Sequence, residues 1–245
     1  MRIAFDLDGV LADLHGPFAK AALRLFPELD RSEIASPEVG SSPPDEEDNE
    51  VKANDAPSVV PAFTNLPLSE RQARAVWNSL TAVEDFWSTL DEIEPGSINR
   101  LAQIADERRW EILFITSRPW TSGRTVQRQS QRWLEHHGFQ LPSVYVVHGS
   151  RGRIADALHL DVVVDDRPEN CLDVALESKA GAILVWRGSK EAVPASARRF
   201  GIAVVPSVAA CLDALVEIEQ SDQRGSLLDR LRRLFGLRTS RPSGS

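Results

Sequence analysis

The apolar positions fall into short blocks whose period changes along the chain. Ile3-Ala4-Phe5 is a continuous apolar run that stops at Asp6-Leu7-Asp8-Gly9-Val10, the pattern of a buried strand ending where two carboxylates and a glycine begin. Phe18, Ala21, Ala22, Leu25 and Phe26 then recur at helical spacing and predict a helix over 14–26, closed by Pro27. A second helix is predicted over 68–80, with Ser69 as its N-cap. The apolar stretch 83–90 follows, carrying Phe86 and Trp87, and a helix over 97–105 begins after the break at Pro95-Gly96. Strands are predicted at 110–115, 143–147, 161–164, 182–186 and 202–205. Helices over 125–137, 154–159, 171–179 and 208–219 separate or follow them. This alternation predicts an α/β fold in which a parallel sheet carries helices on both faces.

Two stretches break the rhythm. Residues 36–61 hold five prolines, the acidic run Asp45-Glu46-Glu47-Asp48 and almost no large apolar side chains, so little burial offsets the entropy of ordering them. A loop or flexible insert is expected there. From Gly225 onward, Leu227, Leu228, Leu231, Leu234 and Phe235 share one helical face, with Arg230, Arg232, Arg233 and Arg238 around it. Such a basic amphipathic helix packs on the body, lies on an anionic membrane surface or grips nucleic acid, with packing or a protein partner the favoured reading.

Composition narrows the picture only slightly. With 245 residues, 42% hydrophobic and 26% charged, the chain supports one well-buried core and a small extra lobe. A net charge of -8 argues against coating nucleic acid through the overall field, which leaves nucleic acid a less favoured partner than a small anionic substrate. Cys171 and Cys211 are too far apart for a metal-ligand motif and read as core thiols of a reducing, cytoplasmic setting. No run of about 18 uninterrupted apolar residues is present, so no transmembrane segment is expected.

The chemistry collects where strands end. Ligands of open α/β sheets bind beyond the carboxyl ends of the strands. Those ends carry Asp6 and Asp8, then Thr116 and Ser117, then Arg151 and Arg153, then Asp165, Asp166 and Asn170. Carboxylates can hold a hard cation such as Mg²⁺, which neutralises a phosphate and lets one carboxylate approach it as a nucleophile. Hydroxyl and guanidinium groups can bind the phosphoryl oxygens. Arg118 and Arg167 read as surface charges that pair with Asp165 or Glu169.

Three segments resemble the haloacid dehalogenase-like hydrolase superfamily: Phe5-Asp6-Leu7-Asp8-Gly9-Val10-Leu11-Ala12-Asp13, Ile115-Thr116-Ser117-Arg118-Pro119 and Val164-Asp165-Asp166-Arg167-Pro168-Glu169-Asn170. The resemblance spans roughly residues 1 to 190. It implies a Rossmann-like core over 1–14 and 96–220, a helical cap over 15–95 inserted after the first strand, and a tail over 221–245. It further implies an Mg²⁺-dependent phosphatase in which Asp6 is the nucleophile and Asp8 the general acid and base. Asp6, Asp8 through its backbone carbonyl, and Asp166 would hold the metal, with Asp165 or Asn170 assisting in the outer shell. Thr116 and Ser117 would bind phosphate. The family's lysine is missing, and either Arg151 or Arg153 stands in its place. Within the superfamily, Trp87-Ser88-Thr89-Leu90-Asp91-Glu92-Ile93-Glu94-Pro95-Gly96 resembles the 5'(3')-deoxyribonucleotidase group, which implies a nucleoside monophosphate or similar small substrate. Phe63, Phe86 and Trp87 then become either base-stacking or core residues. The alternatives are a phosphatase acting on nucleic-acid ends and a phosphate-binding module without turnover.

Overall fold

The structure, a computed structural model, describes residues 1–29, 68–220, 230, 234 and 235. The acidic insert, Phe63 and most of the tail lie outside these residues. Six strands form one sheet: β1 (Arg2–Asp6), β2 (Glu111–Thr116), β3 (Ser143–Val146), β4 (Val162–Asp165), β5 (Gly181–Val185) and β6 (Ala203–Val205). Their order is β3-β2-β1-β4-β5-β6, and every neighbouring pair is parallel. The sheet grows in one direction from β1 to β3 and in the other from β4 to β6, so a switch point lies between β1 and β4.

The alternation of side chains along each strand explains why both faces are covered. Ile3, Phe5, Phe114, Val162 and Val164 join one apolar cluster, while Ala4, Leu113, Ile115 and Val163 join another. On the first face lie α1 (His15–Leu25), α2 (Glu70–Thr81), α3 (Ser97–Arg108), α4 (Val126–His136) and α8 (Val208–Gln220), contributing Phe18, Val76, Leu101, Trp133 and Leu215 among others. On the second lie α5 (Arg151–Ala157), α6 (Pro168–Glu177) and α7 (Ala195–Arg199), which bury Ala155, Cys171, Val174 and Ala197. The helices α1 and α2 share one continuous apolar cluster with the sheet, linked through Phe18, Trp77 and Trp87, whose rings lie 5.5 and 6.4 Å apart in turn. Ser69 caps α2 in a reciprocal box with Gln72.

Three boundaries differ from the expected ones, each for a local reason. The helix expected at 154 begins at Arg151, because the Ser150 hydroxyl accepts hydrogen bonds from the N–H groups of Gly152 and Arg153. The helix expected at 171 begins at Pro168, whose fixed φ suits a first turn. The five-residue α7 buries one side chain, Ala197, too little for a periodic pattern to show. In the tail, Arg230 donates to the Ile218 carbonyl at 2.9 Å and Phe235 packs on the main cluster.

Helices α5 and α6 touch through Gly152. A Cβ there would lie 2.1 Å from the backbone oxygen of Asp173 and 2.7 Å from the Glu177 Cβ. Gly152→Ala gains up to about 1 kcal/mol of helix propensity but must separate two helices, at about 1–3 kcal/mol. We expect a net loss of stability, read as a lower urea midpoint at unchanged slope.

Candidate active site

Because Phe5 pairs with Val164, the residues that follow them, Asp6 and Asp165, end adjacent strands side by side. Asp165 is fully buried and Asp6 nearly so. Arg151, the first residue of α5 and itself buried, reaches both: its Nη2 donates to Asp6 Oδ1 at 3.0 Å, and its Nε stands 3.7 Å from Asp165 Oδ2. That Nε has no hydrogen-bond partner, so a buried donor is left over beside the carboxylates. Asp165 is otherwise occupied, accepting from Asn170 Nδ2 at 2.9 and 3.1 Å and from the Arg167 N–H at 2.9 Å. Asp166 closes over the Gly9 turn. Gly9 has φ +84°, and a Cβ on it would lie 2.0 Å from Asp166 Oδ2, so the turn has room for glycine alone.

Burial, then the charge of Asp165, pushes the Asp6 carboxyl well above the ordinary range, with Arg151 opposing the shift. Asp166 is pushed up by the same two causes. Asp165 is raised by burial against the pull of Arg151 and its hydrogen bonds. Asp6 and Asp165 thus share one buried guanidinium with Asp166 beside them, and the cluster is short of positive charge. Its donors are carboxylate and carbonyl oxygens, the set preferred by a hard divalent cation. Among the described residues no three or more His, Cys, Asp or Glu side chains are gathered so that they alone could hold a metal ion. Mg²⁺ does not require one, since it takes one or two carboxylates and keeps several waters. The residues present fit it.

Arg118 holds Asp8 in a fork, and the charge of Asp8 adds to the upward push on Asp6 and Asp166. Arg118 Nε donates to Asp8 Oδ2 at 2.8 Å and Nη2 donates to Oδ1 at 2.7 Å. The Arg118 side chain is fully buried, donates from Nη1 to Ser130 Oγ at 2.8 Å, and lies over the Trp87 ring at 4.7 Å. The expectation of a surface arginine is therefore corrected: Arg118 is a core residue at the site. Arg167 does pair with Glu169, at 3.7 Å.

Thr116 is buried at the end of β2, and the adjoining Ser117 is exposed. Arg153 does not join the cluster, because its side chain is 82% exposed and faces Glu177. Phe86 and Trp87 are buried core residues, and Trp87 spends its indole N–H on the Pro119 carbonyl. They are unavailable to a ligand's base. Sequence reasoning missed Arg187 and Glu94. Arg187 donates to the carbonyls of Gly9 and Val10 and to Glu94, which in turn accepts from the Val208 and Ala209 N–H groups at the start of α8. The only cue to this clamp was a charged residue directly before Pro95-Gly96.

No family model matches the chain, and no curated protein is similar to it. Solved structures are similar. A HAD family hydrolase from Deinococcus radiodurans R1, with bound phosphate and sodium, is 18% identical at a TM-score of 0.51, over 88% of this chain and 95% of that one. A hydrolase from Pseudomonas syringae is 15% identical at a TM-score of 0.49, over 89% and 99%. The first likeness shows the fold: a Rossmann-like α/β core of the haloacid dehalogenase type.

A carboxyl whose pKa is raised on folding binds more protons folded than unfolded, so its contribution to stability falls as pH rises. With EDTA present, stability should therefore decline from about pH 4, the ordinary Asp range, upward through the raised values. Asp166→Asn removes one of the crowded charges. We expect it to raise Tm at pH 7 by about 2–4 °C and to flatten the decline, as read by calorimetry in EDTA across pH 4–8.

Proposed function

We propose that this chain is an Mg²⁺-dependent phosphatase that hydrolyses a phosphomonoester through a covalent phosphate on Asp6. The observation that carries the reading is Arg151 Nη2 at 3.0 Å from Asp6 Oδ1, at the sheet's switch point, with a second buried donor of the same guanidinium unpaired. A fixed cation beside the carboxylate can neutralise an arriving phosphate and stabilise the charge that develops on its oxygens. Arg151 thus takes the part that the resemblance assigns to lysine, and this favours turnover over mere phosphate binding.

The roles follow from position. An Asp6 oxygen attacks phosphorus, the ester P–O bond breaks, and the leaving oxygen takes a proton from Asp8. Water then attacks the phosphorus of the aspartyl phosphate and gives a proton to Asp8, and the bond to Asp6 breaks to release inorganic phosphate. Arg118 orients Asp8: Oδ1 accepts from both Nε and Nη2, while Oδ2 accepts from Nε alone and keeps a lone pair for this exchange. Thr116 and the N–H groups after β2 would bind the phosphoryl oxygens, with Ser117 beside them. Asp6, Asp166 and the Asp8 carbonyl would hold Mg²⁺, while Asp165, Asn170 and Arg167 brace the set. When bound, the metal supplies charge neutralisation of the phosphate.

The phosphate and cation carried by the Deinococcus hydrolase of the same fold support this class of reaction. The segment before Pro95-Gly96 resembles the 5'(3')-deoxyribonucleotidases, and a nucleoside monophosphate is the substrate class we infer from it. The described segments that would belong to a cap, 15–29 and 68–95, are flanked by two paired connections: Asp13 N–H donates to the Asp91 carbonyl and Ile93 N–H to the Leu11 carbonyl. A cytoplasmic setting agrees with two buried thiols, both pushed up in pKa by burial. No helix among the described residues is long and apolar enough to cross a membrane.

Phosphate release from a panel of phosphomonoesters tests the reading, run with Mg²⁺ and with EDTA. Wild-type protein should require Mg²⁺, and Asp6→Asn should lose at least about 10³-fold in kcat. Arg151→Ala should lose about 10²–10³-fold, with Arg151→Lys retaining more than Arg151→Ala. An Asp6→Asn protein that keeps the parent's rate would sink the mechanism.

A further inference from the structure

The turn after β1 carries Asp8 and lies against Asp166, because a Cβ on Gly9 would meet the Asp166 carboxylate. Part of its shape comes from within. The Leu11 and Ala12 N–H groups both donate to the Leu7 carbonyl at 2.8 Å, and the Gly9 N–H donates to the Ala12 carbonyl at 3.1 Å. These bonds leave out the carbonyls of Gly9 and Val10. Both accept instead from Arg187, Gly9 from Nη1 and Val10 from Nη2 at 3.0 Å. An arginine two residues past the end of β5 therefore completes the turn after β1.

These two strands are not neighbours. β4 stands between them, so β5 and β1 run about 10 Å apart and only a long side chain joins their ends. Arg187 also donates from Nη2 to Glu94 Oε1 at 2.7 Å, which brings its partners to two carbonyls and a carboxylate. A guanidinium meets three such acceptors with a planar set of donors, whereas an ammonium has one nitrogen to place. Glu94 is itself fixed. Its Oε1 accepts from the Val208 N–H at 2.8 Å and its Oε2 from the Ala209 N–H at 3.0 Å, groups that have no partner within α8. α8 in turn buries Val208, Cys211, Leu212, Leu215 and Ile218 in the core. Arg187 is thus moored to the core at one end and holds the turn with the other.

Glycine gives the turn its close approach to Asp166, and it also gives it the loosest backbone of any residue. The external bond removes that looseness. With its N–H committed to Ala12 and its carbonyl to Arg187, Gly9 has little freedom left in either dihedral. Its N–H belongs to the same planar peptide unit as the Asp8 carbonyl, so the direction of that carbonyl is set along with it.

We propose that Arg187, held by Glu94, is a positioning residue for the Mg²⁺ site: it immobilises Gly9 and so fixes the Asp8 carbonyl relative to the Asp166 carboxylate before an ion arrives. The proposal rests on the reading of Asp6, Asp166 and the Asp8 carbonyl as the donor set, and adds that the affinity of this set depends on a contact made two strands away. Support of this kind, which orients donors without supplying one, strengthens metal binding by preorganisation.

The test measures Mg²⁺ binding to substrate-free protein, by calorimetric titration and by the rise in Tm as Mg²⁺ is added. Arg187→Ala should weaken binding by about 10–100-fold, the range for lost outer-shell support. Arg187→Lys should fall between it and wild-type, and it carries the test where the alanine variant does not fold. Glu94→Gln should weaken binding as well, and Glu94→Gln/Arg187→Ala should bind no more weakly than Arg187→Ala, because Glu94 acts through the arginine. Arg108→Ala breaks the ion pair with Glu219 near the other end of α8 and controls for general loosening of that helix; it should leave Mg²⁺ affinity as in wild-type. In turnover, phosphate release lost in Arg187→Ala should return as Mg²⁺ is raised, which a merely structural defect would not allow. Wild-type affinity in Arg187→Ala, or in Arg187→Lys where the first does not fold, overturns the proposal and leaves the phosphatase reading intact. Arg187-dependent Mg²⁺ binding without phosphate release from any ester upholds the proposal and defeats the phosphatase reading alone. No Mg²⁺ binding by wild-type protein overturns the proposal together with the donor set beneath it.

Discussion

Three carboxylates crowd the ends of two adjacent strands, and one buried guanidinium stands among them. Asp6, Asp165 and Asp166 are each pushed upward in pKa by burial, and Asp6 and Asp166 also by the charge of Asp165. An arrangement of this kind opposes folding and persists only where the surroundings over-determine it. The parallel register of β1 and β4 supplies that determination, because it fixes where Asp6 and Asp165 end and leaves neither strand free to slip. The same crowding is what gives the site chemical potential, since a cation or a proton arriving there is favoured before any substrate binds.

The surroundings do more than confine the charges. Ser150 caps α5 so that its first residue, Arg151, enters the cluster, and Gly152 lets α5 lie against the backbone of α6 so closely that the guanidinium reaches both aspartates. On the other side, Arg187 ties the Gly9–Val10 turn to Glu94, and Glu94 satisfies the exposed N–H groups that open α8. One charged pair therefore links the Gly9–Val10 turn, the chain just before Pro95-Gly96 and the start of α8. Displacing the turn by any of these routes would move the space between Gly9 and Asp166, where a side chain cannot fit.

Much of the fold was legible because both faces of the sheet are buried. Val162-Val163-Val164 and Ile112-Leu113-Phe114 announce strands by continuous apolar runs, and each ends on polar residues in the same sense. The carboxylates were legible for the same reason, as abrupt charge at a strand's end. What was hidden is whatever depends on side-chain direction. Arg151 and Arg153 are two residues apart and chemically identical, yet their places on the first turn of α5 send one into the cluster and the other to solvent. Arg118 read as a surface charge because nothing in its neighbours shows that Trp87 and Trp133 flank it. Trp87 stayed open to stacking or core for a similar reason: composition marks a tryptophan as large and apolar, and only packing says whether it is covered.

Arginine at position 151 changes the character of the site as well as its shape. A lysine in such surroundings can lose its proton, and its single nitrogen serves one carboxylate at a time. A guanidinium presents its donors in a planar fork, and that of Arg151 donates to Asp6 while facing Asp165. With Nη2 committed to Asp6 and Nε 3.7 Å from Asp165 and unpaired, the fork is not saturated by the aspartates it faces. A buried donor of that kind is costly until an oxygen meets it. The phosphoryl group that Asp6 would attack brings such an oxygen, so the donor that the folded protein leaves unsatisfied is the one that gains most when the substrate arrives. Under the proposed reaction, the penalty held at Arg151 would be relieved by substrate binding, and because that relief would be greatest as negative charge builds on the oxygens, it would favour the transition state over the bound ester.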